Sequence, residues 1–200
     1  MENDLYSMAK TLHHIETILK PNEDLIKILG EEEYNKITET LKANNCDYTL
    51  DGIIDYLNGY ILLLQNENAE ANEEKIIKLA KQLNKIERAI DWTKGEAYPT
   101  TNNGYINNIG EIGQIYKIRG ITEREKINKA FQNEIAVIFQ SYLLKDYGEL
   151  PKEDIEANEL AIKHIYNDRI LARYKTSEGD IYIITEADRS ATTILFTEEY

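Results

Sequence analysis

The chain has 200 residues, 42% of them hydrophobic and 30% charged, with a formal net charge of −13. That length fits one domain, or two small ones, and the composition is that of a globular protein and excludes a disordered or fibrous one. The charge is spread, with 19 acidic and 11 basic side chains in residues 1–100 (net −8) and 17 and 12 in residues 101–200 (net −5), a field that repels nucleic acid and attracts basic surfaces.

A single cysteine, Cys46, excludes an internal disulfide and suits a reducing compartment. Its neighbours Asn44, Asn45, Asp47 and Tyr48 supply no cation to stabilise a thiolate. The start, MENDLYSMAK, is polar and acidic, unlike a signal peptide. The longest apolar run, Ile61 to Leu64, is far too short to span a membrane. The expected location is the cytoplasm of a bacterial host cell, with no membrane contact and no direct nucleic-acid binding.

In chain order, Asn3 or Asp4 caps a first predicted helix to about Lys20, with Leu5, Met8, Leu12, Ile15, Ile18 and Leu19 on one face. Pro21 ends it. Asp24 to Leu29 reads as a short helical turn closed by Gly30, and Glu31 to Ala43 as a helix with three glutamates where the helix dipole favours them. Thr49 caps a helix from Leu50 to Gln65 whose Ile53, Ile54, Leu57, Tyr60, Ile61 and Leu64 make a broad apolar face. Asn66 to Asn72 is a polar break. Glu73 to Trp92 follows, with Ile76, Ile77, Leu79, Ala80, Leu83, Ile86 and Ile90 repeating at helical spacing. These two helices form an expected helical hairpin.

Residues 95–121 are rich in Gly and Asn and read as an irregular linker or a loop over the core, with Gln114 to Arg119 as a short strand. The run GYINNIGEIGQ is neither GxGxxG nor followed by GK[ST], so it carries no phosphate-loop signature. Thr122 and Glu125 have capping-box spacing and open the longest predicted helix, Glu123 to about Asp146. Gly148 ends it, and Pro151 opens a helix to about Tyr166. There Leu160, Ile162 and Ile165 pack and Glu153, Asp154, Glu156 and Glu159 face solvent.

The C-terminal stretch has strand chemistry. Arg169 to Thr176, Ile181 to Thr185 and Ala191 to Thr197 are rich in Ile, Tyr and Thr, with Ser177 to Asp180 as the first turn. Ile181 and Ile183 share one strand face and Tyr182 and Ile184 the other. The expected fold is α+β and mostly helical: about six helices followed by a small C-terminal antiparallel β-sheet. Residues 1–94 form a helical subdomain, and residues 122–200 the later helices with a β-meander.

Catalytic and metal signatures are sparse. His13 and His14 are adjacent on a helix and point about 100° apart, His164 is distant, and no HExxH or cysteine cluster exists, so neither a metal nor a cofactor is expected. The polar knot Glu186, Asp188 and Arg189 lies where the second strand crosses to the third. It serves either as a polar turn, with Arg189 pairing a carboxylate, or as a contact site. Together with Glu31, Glu32 and Glu33 it forms the expected partner-binding set.

GDIYIITEADRSATTILFTEEY, with the upstream EDIEANELAIKHIYNDRILARYKTSEG, resembles the C-terminal segment of small accessory proteins of low-GC Gram-positive mobile elements, a group that includes anti-CRISPR proteins. The resemblance covers the last ~50 residues and implies an accessory role in a plasmid, phage or integrative element, with no specific chemistry. Charge and resemblance together predict an acidic inhibitor that docks on a basic nucleic-acid-handling host protein, such as a CRISPR effector nuclease or its guide complex. One alternative is a phosphodiester-cleaving enzyme with Mg²⁺ on Glu186 and Asp188 and Arg189 on the phosphate. Another is a structural or regulatory oligomeric module, such as a homodimer, built on the apolar helices.

Overall fold

The computed structural model describes residues 21–46, 50–90, 105–164 and 168–200. The first expected helix, His13, His14, Thr49, Trp92 and Ile165 lie outside them. The described residues form an α+β protein with seven α-helices and a small four-stranded mixed sheet near the C-terminus. They fall into two compact units, residues 1–104 and 105–200.

The first unit is helical: α1 (Pro21–Leu29), α2 (Glu31–Ala43), α3 (Leu50–Asn68) and α4 (Glu73–Arg88). Pro21 is the first residue of α1, where its missing N–H is one that a helix start leaves unpaired anyway. α3 and α4 pack against each other, and α2 lies against α3. Leu50, Ile53, Ile54, Leu57, Ile61 and Leu64 from α3 meet Ile76, Leu79, Ala80, Leu83 and Ile86 from α4, all buried. Tyr60 is only half-buried.

The second unit runs β1 (Gln114–Lys117), α5 (Arg119–Ile127), α6 (Lys129–Leu143), α7 (Lys152–Lys163), β2 (Ile170–Thr176), β3 (Gly179–Thr185), β4 (Ala191–Phe196) and a 3₁₀ turn, Thr197–Glu199. The sheet order is β1-β4-β3-β2. The β2-β3-β4 meander is antiparallel, as its turns require. β1 adds to β4 in parallel, with Gln114 opposite Ala191 and Lys117 opposite Ile194.

Residues 105–121 lie over the core and include the short strand expected within Gln114 to Arg119. They supply β1, bury Ile109 and Ile121, and strap onto α6, where the Gln140 carboxamide donates to Ile106 O (2.8 Å) and accepts from Ile106 N (3.1 Å). Three expectations need correction. The long helix is two helices. Asn128 is extended (φ −125°, ψ 99°) and its side chain accepts from Phe131 N, so it caps α6. The Thr122–Glu125 capping box does not form. Thr122 already lies inside α5 and donates to Arg119 O at 2.9 Å, Glu125 pairs with Lys117 at 2.5 Å, and Glu199 accepts from Gly120 N at the helix start. The β2–β3 turn holds only Ser177 and Glu178, because Thr176 already pairs with Gly179.

The core lies between the sheet and α6. Ile170, Ala172, Tyr174, Ile181, Ile183 and Ile194 face Phe131, Ile135, Ile138 and Tyr142. A polar chain crosses it: Tyr142 and Thr185 hydroxyls at 2.5 Å, Thr185 and Thr192 hydroxyls at 2.6 Å, and Thr192 donating to Ile112 O at 2.6 Å. Enclosed groups of this kind must be paired or each costs on the order of 1–3 kcal/mol.

Candidate functional site

The outer edge of β2 is closed by side chain and loop. The Asn158 carboxamide on α7 donates to Leu171 O (2.6 Å) and accepts from Leu171 N (2.9 Å). Two residues on, Arg173 N donates to Tyr147 O and Glu149 N to Arg173 O. An edge strand so paired cannot recruit another strand there. It also fixes α7 beside the sheet, with a cavity of about 230 Å³ between them.

That cavity has an apolar floor of Leu171, Ile184 and Ala157. Tyr182 and Tyr200 form its aromatic wall, their rings 5.7 Å apart and crossed at 70°. Arg169 is exposed at the rim and donates to the Tyr200 hydroxyl at 3.3 Å. Asp154 and Asp168 also line the rim. Glu186 lies close enough for its charge, with that of Asp168, to help hold the Arg169 guanidinium protonated, after the larger effect of the Tyr200 contact. Two carboxylates and one guanidinium thus border an apolar, aromatic cradle, with Glu186 nearby. Such a surface suits a long cationic side chain, with the stem on the floor, the charge among the carboxylates and the cation beside a tyrosine face.

Of the expected site residues, only Glu186 belongs to this neighbourhood. Asp188 is exposed and turned onto its own loop, accepting from Ser190 N at 2.9 Å, which holds its carboxyl below the usual carboxylate range. Arg189 is buried, and among the described residues its guanidinium pairs with no carboxylate. Its guanidinium donates to Asp168 O (2.9 Å), Glu186 O (3.0 Å) and Ala161 O (2.6 Å). The fork geometry that would suit a phosphate is directed at backbone carbonyls. In the helical unit, Glu31 and Glu32 are exposed, whereas Glu33 is half-buried, facing Lys78 at 3.5 Å and accepting from the Gln82 side chain.

Arg169, Tyr182 and Tyr200 carried no signal in the sequence pattern. They stand 13 to 31 positions apart and meet only because β3 lies beside β2 and the chain end returns over the sheet. Leu160, expected to pack, is 57% exposed, since α7 turns Asn158 and Ala161 inward instead. Among the described residues no three His, Cys, Asp or Glu side chains cluster as metal ligands, Cys46 is exposed, and no helix is long and apolar enough to cross a membrane.

Comparison with family models, curated proteins and solved structures finds no match to this chain.

Proposed function

We propose that this protein is an acidic, protein-binding inhibitor or accessory factor of a mobile genetic element, acting against a host defence system. Its partner is a basic nucleic-acid-handling protein of the host cytoplasm, such as a CRISPR effector nuclease or its guide complex. The observation that carries this reading is charge: −13 over 200 residues, shared by both halves of the chain. The C-terminal resemblance supplies the biological setting. An acidic surface competes for the groove that would otherwise hold a phosphate backbone.

Two features support the direction of binding. Glu31 and Glu32 stand exposed at the start of α2, and the cradle rimmed by Asp154 and Asp168 accepts a lysine or arginine side chain. The Glu186–Asp188–Arg189 knot lends nothing to phosphodiester chemistry, because its arginine is committed to three carbonyls.

The test is direct. Purified protein is added to CRISPR effector nucleases, with and without guide, and both binding and target cleavage are measured. A stable complex that lowers cleavage is expected. Failure to bind any effector or other host nuclease, by a chain shown to be folded, removes the proposal.

A further inference from the structure

A cavity of about 240 Å³ between α2, α3 and α4 departs from the acidity of its surroundings. Residues 1–100 hold 19 acidic and 11 basic side chains, yet this cavity is lined by Lys36, Lys75 and Lys78 against one carboxylate, Glu33. Three cations and one anion leave a local surplus of positive charge inside a protein of net −13. The folding pattern explains the convergence: the three lysines lie on two helices that both pack against α3 or α4 partners, and each apolar stripe turns its flanking lysine toward the same groove.

The remaining lining groups are aromatic and polar. Tyr56 and Tyr60, one turn apart on α3, set their rings 5.8 Å apart at 44°, and both are half-buried. Lys75 donates to the Tyr60 hydroxyl. Lys78 pairs with Glu33 at 3.5 Å while 63% exposed, and solvent screens such an exposed pair so that it holds the ammonium only weakly, leaving it able to turn to a ligand. Gln82 donates its amide to Glu33. That orientation leaves Gln82 Oε1 as the one buried side-chain N or O atom without a hydrogen-bond partner among the described residues.

We infer that this cavity binds a small phosphorylated heteroaromatic compound of the nucleoside monophosphate class. The phosphate meets Lys36, Lys75 and Lys78, and the ring lies against Tyr56 and Tyr60. Gln82 lines the same cavity beside Glu33. Each part of the ligand answers a separate feature: an inorganic anion would use the lysines alone, and a neutral base the tyrosines alone. A nucleic-acid polymer fits poorly, because its next phosphates would run out of the cavity into an acidic field. This inference does not rest on the protein partner proposed above, although the cavity shares α2 with Glu31 and Glu32.

The experiment is calorimetric titration of the full chain with the four common nucleoside monophosphates, their free nucleosides and inorganic phosphate. At least one monophosphate is expected to saturate at one per chain, roughly tenfold or more tighter than phosphate or the nucleoside. Rising salt should weaken it. Lys75→Ala with Lys78→Ala should lower affinity about tenfold or more without moving the melting temperature, since both side chains are exposed. Lys27→Ala, on α1 and outside the cavity, should leave it unchanged. No saturation by any of the four, equal affinity for inorganic phosphate, or binding that survives the double substitution would each overturn the assignment.

Discussion

The Arg189 guanidinium donates to the carbonyl of Ala161 at 2.6 Å, joining the β3–β4 turn to the last turns of α7. The same side chain reaches Asp168 O and Glu186 O, and its backbone sits at φ 58°, a left-handed conformation uncommon outside glycine. A strained backbone and a buried cation are tolerable here because three carbonyls that α7, its following segment and the turn leave open are satisfied together.

Arg189→Met is therefore expected to cost roughly 3 kcal/mol of stability, the cost of leaving buried carbonyls unpaired. Thermal melting reads it. A melting temperature unchanged from that of the native chain would show that Arg189 acts elsewhere than in this clasp.

Removing the hydroxyl at the centre of the core chain gives a second expectation. Thr185→Val strands the Tyr142 hydroxyl, 2.5 Å from it, and should cost about 1–3 kcal/mol. Adding Tyr142→Phe should cost less than the sum of the singles, because the two hydroxyls share one interaction. Chemical denaturation of the three variants checks this, and strict additivity would contradict it.

The same tyrosine makes an alkaline prediction. Burial, the largest influence, raises the Tyr142 hydroxyl well above its ordinary value of 10.0. A group kept neutral in the fold and free to ionise when unfolded contributes stability that is complete below about pH 10 and lost as pH rises above it. Denaturation midpoints should fall as pH rises above about 10, and Tyr142→Phe should flatten that fall. An identical slope in the variant would show that Tyr142 ionises normally in the folded chain.

Ile183 is fully buried and lies opposite Ala172 and Ile194 on the inner sheet face. Ile183→Asp should destabilise the protein by several kcal/mol, roughly 4 or more, as an uncompensated buried carboxylate. A melting temperature within about 2 °C of the native value would show that this strand is not part of the core.

If a basic partner is bound through the acidic surface, association should slow as salt rises, because mobile ions screen charge beyond about 10 Å at 0.1 M, while dissociation changes less. Glu31→Lys with Glu32→Lys should slow it further where the start of α2 faces the partner. Glu33 is best left intact, being held by Lys78 and Gln82. Stopped-flow or surface-plasmon measurements that show a salt-independent association rate would leave apolar contact as the driving term.

Local pattern alone determined the helical stripes and the meander. Ile53, Leu57 and Leu64 recur at helical spacing and are buried; Ile181 and Ile183 alternate with Tyr182 and share the inner face. Both follow from periodicity, which depends only on neighbours in the chain. What tertiary structure decided is where non-local partners outweighed local preference. Asn128 breaks a strong helical pattern because its side chain finds Phe131 N on one side and Glu178 on the other. Residues 105–121, irregular by composition, become a strap and a parallel strand. Gly113 (φ 61°) permits this, since a Cβ there would stand 2.2 Å from the Ser190 carbonyl. Arg189 reads as a surface charge and is buried, because the carbonyls of Ala161 and Asp168 from distant segments converge on it with that of Glu186 from its own turn. The cradle at Arg169 and the lysine groove at α4 likewise join side chains from separate elements, and such convergence is set by how the helices and strands pack rather than by any run of adjacent residues.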